Sequence, residues 1–363
     1  MSQRKTQLGL GCVIAMVLAG HSFVTQSVNA AGLDSQPGLV KSEFIFEQAP
    51  FPVAHASTIV ETREGTLLAA WFGGTRERAL DVSIWLSRYN AGKWTEPREI
   101  LQGFGENGLR RYPCWNPVLF QPKFGPLLLF YKVGPSPEGW WSLITTSDNQ
   151  GLTWSDSTPL PKDCYGPIRN KPVEFPTGLL LCGSSTESAG WRVHMEWMRS
   201  PGKDFGRSGP LNSAREFAAI QPTILVHRLD HIQILCRTKQ GRVVEAWSDD
   251  GKHWSPLTRT VLPNPNSALD GLMLRDGRAL LVYNHSADDR GVLNVAVSAD
   301  GRNWEAALVL ENTPGNEYSY PAVIQTRDGL VHITYSWKRE RIRHVVLDPA
   351  QLRSRPMIDG QWP

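Results

Sequence analysis

Ser147-Asp148-Asn149-Gln150-Gly151-Leu152-Thr153-Trp154 decides the fold, because this phrase returns as Ser248-Asp249-Asp250-Gly251-Lys252-His253-Trp254 and as Ser298-Ala299-Asp300-Gly301-Arg302-Asn303-Trp304. A weaker copy runs from Ser87 to Trp94. We call each copy a tryptophan phrase. The copies lie about fifty residues apart, or a multiple of that distance, and a fixed period of this length is typical of repeat architectures.

The composition of the phrase predicts a tight turn. Asp and Asn side chains accept hydrogen bonds from nearby backbone N–H groups, and Gly supplies the backbone freedom that such turns need. We expect each phrase to join the third strand of a repeat to its fourth, and its Trp to pack between neighbouring repeats. The phrase is therefore scaffold, and the chemistry should lie elsewhere.

Alignment on the phrase gives six similar units, each opening with two apolar strands. The predicted pairs are Ser57–Val60 with Thr66–Phe72, Pro117–Phe120 with Leu127–Tyr131, Pro172–Phe175 with Gly178–Cys182, Pro222–Val226 with Ile232–Cys236, Gly271–Leu274 with Arg278–Tyr283, and Pro321–Gln325 with Leu330–Tyr335. Third strands are predicted at Val82–Ser87, Val243–Ser248 and Leu293–Ser298.

Six units of four antiparallel strands predict an all-β fold, a six-bladed β-propeller over residues 40–352 with a C-terminal tail at 353–363. The last unit ends near Leu352, which leaves little room for a fourth strand. We therefore expect residues 43–47, near the start of the domain, to complete the last blade.

The first thirty residues read as a secretory signal peptide. Arg4 and Lys5 precede an apolar run from Leu8 to Ala19, and Val28-Asn29-Ala30 fits a cleavage site before Ala31. An uncleaved anchor is the alternative. No later segment is long and apolar enough to span a membrane, so we expect the protein to be exported, to the periplasm or beyond, without membrane insertion after cleavage.

Charge and cysteine content exclude other classes. The formal net charge is +3, and it falls to +1 when the segment with two basic and no acidic residues is removed. This balance does not fit a nucleic-acid binder of the basic-patch type. The four remaining cysteines, at 114, 164, 182 and 236, form no CxxC pair, and one disulfide could form. No His, Asp or Glu cluster has metal-ligand spacing, so we expect no metal and no cofactor. The sequence does not indicate an oligomeric state.

In a propeller, residues before each first strand and after each second strand converge at one mouth of the central channel. Those before first strands are His55, Asn116, Arg169–Lys171, Gln221, Asp270 and Tyr318. Those after second strands are Arg76–Asp81, Lys132, Ser184–Glu187, Arg237, Asn284–Arg290 and Trp337–Arg339. Arg, Lys, His and amides are frequent among them, which predicts a cationic concavity suited to a carboxylate or sulfate.

The chain resembles the sialidase superfamily, and more closely the bacterial predicted neuraminidases with BNR repeats. The tryptophan phrase corresponds to the Asp-box of that superfamily. The resemblance rests also on His55-Ala56-Ser57-Thr58, Ala70-Trp71-Phe72-Gly73-Gly74-Thr75-Arg76-Glu77, Tyr112-Pro113-Cys114-Trp115-Asn116-Pro117 and Leu281-Val282-Tyr283-Asn284-His285. It implies the same propeller and an exo-acting hydrolase of the sialidase type.

The resemblance also implies roles for particular residues. Arg237 and Arg290 match two of the three arginines that bind the sugar carboxylate in sialidases, whereas the third position holds His55. Asp81 matches the general acid/base, and Tyr318 matches the nucleophile. We further consider Arg76, Asn116, Lys132 and His285 as substrate contacts.

One more departure bears on the reaction. The glutamate that activates the tyrosine in sialidases is replaced here by Gln221, which cannot accept a proton. Tyrosine has a free pKa of about 10 and needs a neighbouring base to act as a nucleophile. Glu317, Glu187, Glu245 and His55 are the candidates for that base, and the sequence does not choose among them. Three hypotheses follow: a hydrolase of a terminal acidic sugar, a lyase of uronate glycans with His55 or Tyr318 as the base, and a non-catalytic propeller that binds acidic carbohydrate.

Overall fold

The computed structural model describes residues 35–105, 108–199, 203–213 and 215–363. The predicted signal peptide, residues 1–30, lies outside the described residues. The first strands are β1 (Leu39–Phe44), β2 (Val53–Glu61), β3 (Leu67–Gly74), β4 (Ser83–Asn90), β5 (Lys93–Trp94) and β6 (Arg98–Leu101). Strands β2 to β4 form blade 1, and both β5 and β6 pair with the outer side of β4.

Blades 2 and 3 follow in chain order. Blade 2 contains β7 (Cys114–Phe120), β8 (Leu127–Val133), β9 (Trp141–Ser147) and β10 (Thr158–Pro159). Blade 3 contains β11 (Val173–Glu174), β12 (Leu179–Thr186), β13 (Arg192–Arg199) and β14 (Lys203–Arg207).

Three further blades complete the ring. Blade 4 contains β15 (Ala219–Arg228), β16 (His231–Thr238), β17 (Arg242–Ser248) and β18 (Thr258–Pro263). Blade 5 contains β19 (Asp270–Met273), β20 (Ala279–Tyr283), β21 (Val292–Ser298) and β22 (Trp304–Asn312). Blade 6 contains β23 (Tyr318–Gln325), β24 (Val331–Trp337), β25 (Arg341–Leu347) and the N-terminal β1. All pairings between these strands are antiparallel, so the six-bladed propeller is confirmed.

The ring is closed by the start of the described chain. Strand β1 pairs with β25, with Glu43 opposite His344 and Leu39 opposite Leu347. The closing strand therefore begins four residues before the predicted 43–47. Because it joins the two ends of the domain, the ring cannot open without breaking this pairing.

The segment predicted as a tail lies against blade 5. Its strand β26 (Arg355–Pro356) pairs with β22, and a short 3-10 helix follows at Ile358–Gly360. Among the described residues, none of the helices has the length and apolar character to cross a membrane. The four described cysteines are free thiols.

The tryptophan phrase forms the turn that its sequence predicts. In the third copy, Asp250 Oδ1 accepts hydrogen bonds from the N–H groups of Lys252 (2.8 Å) and His253 (2.7 Å). The hydroxyl of Ser248 accepts the N–H of Gly251 at 2.8 Å. These bonds satisfy backbone donors that no strand partner reaches.

The Trp of each phrase packs between neighbouring blades. Trp254 lies in one apolar cluster with Leu181 of blade 3 and Ile232 of blade 4. Trp304 is buried and packs with Leu225 and Leu235 of the preceding blade. The structural interpretation of the phrase is confirmed, because its Trp side chains are shared by adjacent blades.

A repeated irregularity at the start of the innermost strands positions the site. Ala56, Asn116, Gln221 and Tyr320 have φ angles of 54°, 37°, 57° and 57°. The register of pairing shifts at each of them, as in a β-bulge. Positive φ is uncommon for residues other than glycine and concentrates at functional sites. Each bulge re-aims side chains at the mouth of the channel.

Candidate active site

A cavity of about 230 Å³ opens where the innermost strands begin. Every blade contributes to its wall. The lining residues are His55, Phe72, Glu77, Arg78, Trp115, Asn116, Pro137, Trp140, Glu187, Trp191, Ile220, Gln221, Arg237, Arg290, Tyr320 and Arg339. The prediction that strand ends converge at one mouth is thus met by the structure.

The wall divides into an apolar and a cationic part. Blade 2 supplies Trp115, Pro137 and Trp140, and blade 3 supplies Trp191 and Glu187, whereas arginines line the parts formed by the other four blades. Four arginines, at 78, 237, 290 and 339, face two glutamates, at 77 and 187, so the lining carries two net positive charges with His55 neutral. A cavity of this kind favours an anion with an apolar or ring face.

The side chain of Tyr320 lies among three arginine side chains. The Nη1 of Arg237 donates a hydrogen bond to its hydroxyl at 2.9 Å. The guanidinium carbons of Arg169, Arg237 and Arg290 lie 5.3, 5.7 and 5.9 Å from its ring centre. Burial raises the pKa of Tyr320, but the charges of Arg237 and Arg290 outweigh it, so the pKa is lowered overall. A phenolate is favoured here by cations rather than by a base.

Gln221 orients the arginine that contacts Tyr320. Its Oε1 accepts a hydrogen bond from Arg237 Nη1 at 3.2 Å, and Asn266 Oδ1 accepts one from Nε at 3.0 Å. Gln221 therefore lies at the site, as predicted, but its contact is to Arg237. The Tyr320 hydroxyl therefore has the guanidinium of Arg237 beside it, where the resemblance implies a carboxylate that accepts the tyrosine's proton.

A single carboxylate anchors two further arginines. Glu317 bonds Arg290 through Oε1 and Arg339 through Oε2, each at 2.9 Å. Arg339 also pairs with Glu77 of blade 1. Burial raises the pKa of Glu317, but Arg339 and Arg290 lower it overall, so this carboxylate stays ionised. Arg339 enters the cavity from the turn between β24 and β25.

His55 is held as a neutral ring. It is 1% exposed, and within the described residues neither ring nitrogen has a hydrogen-bond partner. Its ring centre lies 4.2 Å from that of Tyr320. Burial, and then the charge of Arg339 with three other arginines, holds the pKa of His55 well below its usual value. His55 thus cannot replace an arginine as a cation.

Glu187 is the carboxyl group best suited to hold a proton. It lines the cavity at the turn after β12 and hydrogen bonds Trp191. Burial raises the pKa of Glu187, although Arg237 opposes the shift. A carboxylic acid with a raised pKa can serve as a general acid near neutral pH. The sequence places Ser184–Glu187 at the mouth and leaves Glu187 as one of four candidates for the base that activates the tyrosine.

The structure corrects the placement of Tyr318. Its side chain is 3% exposed and packs against Trp337, 6.2 Å between ring centres, in the core of blades 5 and 6. Tyr320 occupies the cavity instead. The sequence contains a pattern that distinguishes the two tyrosines. Asn116, Gln221 and Tyr320 each directly precede a proline, whereas Tyr318 lies two residues before Tyr320.

The structure also places Asp81 outside the lining. Asp81 is exposed, and its Oδ2 accepts hydrogen bonds from the N–H (2.9 Å) and hydroxyl (2.5 Å) of Thr75. The carboxylate that this loop directs into the cavity is Glu77. Asp81 closes the loop and so positions Glu77, while Arg76 is exposed and is not among the lining residues.

Two other predicted contacts are structural. Lys132 is fully buried, burial lowers its pKa to about 7, and its ammonium donates to the carbonyl of Pro167. His285 lies beside Trp362 of the C-terminal segment and bonds the hydroxyl of Tyr283 at 2.5 Å. Neither lines the cavity.

Asn116 does line the cavity and donates to the carbonyl of Ile168 at 3.3 Å. Within the described residues, no cluster of three His, Cys, Asp or Glu is placed to hold a metal ion.

Comparison with known proteins supports the family and the fold. The profile of the family described as BNR repeat-like domain matches residues 65–333. No curated protein matches this sequence. The NanB sialidase of Streptococcus pneumoniae is similar in structure, with a TM-score of 0.68 and 12% identity over 86% of this chain and 71% of that one.

Two other solved structures, with different activities in their names, are also similar in structure. The intramolecular trans-sialidase of Ruminococcus gnavus has a TM-score of 0.69 and 12% identity, covering 88% of this chain and 99% of its own. The α-L-arabinanase of Penicillium chrysogenum has a TM-score of 0.65 and 15% identity, covering 87% and 100%. At these identities the likeness shows the fold alone.

Proposed function

Because the chain belongs to the BNR repeat-like domain family and its propeller holds a cationic cavity, we propose that it is a glycoside hydrolase that removes a terminal acidic sugar of the sialic acid type. One observation supports this most directly. The hydroxyl of Tyr320 lies in the cavity, 2.9 Å from Arg237, with a lowered pKa.

The arginines supply the binding of the substrate's carboxylate. Arg237 and Arg339 each keep an Nη2 group that donates to no other part of the described chain. Arg290 is fixed between Glu317 and the carbonyl of Asn266 at 2.9 Å each. Bonds between guanidinium and carboxylate are shorter and stronger than neutral ones. Arg339 thus supplies the third cation that His55 does not.

The reaction requires a nucleophile that the substrate does not repel. Sialidases depart from the two-carboxylate rule by using a tyrosine in place of a carboxylate nucleophile. Here Arg237 lies at the Tyr320 hydroxyl, so its charge offsets that of a phenolate next to the carboxylate on the substrate's anomeric carbon. Tyr320 attacks the anomeric carbon as the phenolate that the arginines favour, while the glycosidic C–O bond breaks. Glu187 donates its proton to the leaving oxygen. Water then attacks the anomeric carbon, Glu187 takes its proton, and Tyr320 is released.

A second candidate, the uronate lyase, is favoured by His55. A neutral imidazole with no partner on either nitrogen can accept a proton, and arginines beside it would neutralise the uronate carboxylate. In that reaction the base removes the proton at C5, the C4–O bond breaks, and an unsaturated uronate results. The hydrolase remains our first proposal because the hydroxyl of Tyr320 hydrogen bonds Arg237 in the cavity, whereas the His55 ring is 1% exposed.

The test compares Tyr320→Phe with Tyr318→Phe, two substitutions that remove the same atom two residues apart. Purified variants are incubated with fluorogenic sialosides and with a panel of uronate glycans. We expect turnover of a sialoside that is lost in Tyr320→Phe and kept in Tyr318→Phe. Melting curves check that both variants fold.

Each other outcome replaces the proposal with a defined alternative. Ultraviolet absorbance from an unsaturated product, abolished by His55→Ala, would establish the lyase. Binding of acidic sugars without turnover of any substrate would establish a carbohydrate-binding propeller. Equal activity of the two tyrosine variants on sialosides would remove Tyr320 from the mechanism.

The N-terminal sequence supports a proposal on location. Arg4, Lys5 and the apolar run after them are the features that export machinery recognises. We expect the mature protein to begin at Ala31. N-terminal sequencing of the protein from an expressing cell tests this, and an intact Met1 on the recovered protein would contradict it.

A further inference from the structure

Two segments beside the mouth of the cavity each carry an exposed apolar side chain. Leu80 lies in the segment between β3 and β4, and Phe104 lies in the segment between β6 and β7; both are exposed. Arg111 ties the two segments together, because its Nε donates to the carbonyl of Leu80 at 2.8 Å and its Nη2 to the Ser83 hydroxyl at 2.8 Å. The hydrogen bonds of Arg111 therefore hold the two segments together, and we call their exposed surface the patch.

Cations and aromatic rings alternate across the same surface. The guanidinium of Arg110 lies 4.9 Å from the ring centre of Tyr112, and that of Arg111 lies 6.0 Å from Phe104. Arg76, Arg78 and Arg110 are exposed and form no ion pair within the described residues. Their charge is therefore available to an anion from outside the chain.

The patch is continuous with the cavity on two sides. Arg78 lines the cavity, and Leu80 follows it by two residues. Trp140 also lines the cavity, and the next residue, Trp141, packs edge-on against Tyr112 with 5.3 Å between ring centres. We call Leu80, Phe104, Arg110, Tyr112 and Trp141 the outer tract.

We propose that the outer tract binds the continuation of an acidic glycan chain whose terminal sugar occupies the cavity. This inference rests on the proposed function and names its substrate class, an oligosaccharide or polymer with repeated negative charges. Guanidinium groups bind carboxylate and sulfate, and aromatic rings pack against sugar faces. A row of exposed cations that leads to a cationic cavity also steers a polyanion toward it.

The chain offers a matched control for a test of the outer tract. Arg110 stacks on Tyr112 at the mouth, whereas Lys123 stacks on Phe124, 5.4 Å from its ring centre, at the turn joining β7 to β8 at the other end of blade 2. Both cations are exposed. Arg110→Glu and Lys123→Glu make the same reversal of charge beside an aromatic ring at opposite ends of the blade.

The kinetic experiment measures both variants on an aryl glycoside of one acidic sugar and on an oligomer of that sugar. We expect Arg110→Glu to raise KM for the oligomer about tenfold and to leave the aryl glycoside unchanged. Lys123→Glu should change neither. Raising the salt concentration should reduce the difference, because exposed charges are screened over about 10 Å at 0.1 M ionic strength. Equal KM values of the two variants for the oligomer would overturn the proposal.

A binding experiment separates this inference from the hydrolase itself. Retardation of the protein in gels containing polysialate or polygalacturonate needs no turnover. Retardation that is lost in Arg110→Glu, from a protein that hydrolyses nothing, would support the outer tract and refute the hydrolase. Turnover of the aryl glycoside without retardation by either polymer would leave the hydrolase and refute the outer tract.

Discussion

Acid should weaken the closure of the ring, and the size of the effect follows from two buried histidines. His332 Nδ1 lies 2.9 Å from His344 Nε2, and His344 Nδ1 lies 3.0 Å from Glu43 of the closing strand β1. Burial, and then the charge of His344, lower the pKa of His332 to about 4. Burial also lowers the pKa of His344, although Glu43 opposes the shift.

The sign of the pH effect follows from the lowered pKa. His332 is neutral in the folded protein at pH 5, whereas in the unfolded chain, with an ordinary pKa of about 6.5, it binds a proton. The unfolded state therefore binds more protons, so stability is present above about pH 6.5 and is lost as pH falls toward 4. For this shift, the loss between pH 7 and pH 5 amounts to about 2 kcal/mol from His332 alone.

The assay is denaturant unfolding at pH 7 and pH 5, for the wild type and for His332→Asn. Asn keeps a polar group of similar reach but does not titrate, so the difference between the two proteins isolates His332 from His285 and other groups. We expect the wild type to lose about 2 kcal/mol more than the variant over this range. An equal loss in both proteins, or a greater loss in the variant, would refute the reasoning.

The other predictions concern the site and the repeat. Tyr320→Phe should lower kcat roughly 10³-fold or more, and Tyr318→Phe less than tenfold, measured on the substrate that the panel identifies. Glu317→Gln should raise KM about tenfold with a smaller effect on kcat, because Arg290 and Arg339 lose their common anchor, whereas Glu340→Gln, in the turn that carries Arg339, should change neither. Trp304→Ala should lower the free energy of unfolding by about 3–5 kcal/mol in denaturant titrations, because a buried side chain shared by two blades leaves a cavity.

The fold could be predicted because the same sequence pattern occurs in several repeats of the chain. Each tryptophan phrase fixes one turn and one contact between blades, so an error in one unit is corrected by the others. The strand bounds are less secure. The first strand of blade 3 contains only Val173–Glu174, where the sequence predicts Pro172–Phe175. Pro172 has no N–H to donate to a ladder, and upstream of it Glu196 binds the backbone N–H groups of Tyr165 and Gly166. A local apolar run does not reveal contacts of this kind, since Glu196 is distant in sequence.

The site could be predicted to the correct segments but not always to the correct residue, and the reason is local backbone geometry. Tyr318 and Tyr320 lie on one strand, and the alternation of a regular strand would direct them to the same side. The bulge at Tyr320, with φ of 57°, breaks this rule, so one side chain enters the cavity and the other enters the core. In the same way, the turn closed by Asp81 and Thr75 directs Glu77 inward. Resemblance to a family identifies which loop supplies a carboxylate or a tyrosine. Which of two neighbouring residues enters the cavity depends on the bulge or the turn. The sequence marks the bulges, because Asn116, Gln221 and Tyr320 each directly precede a proline.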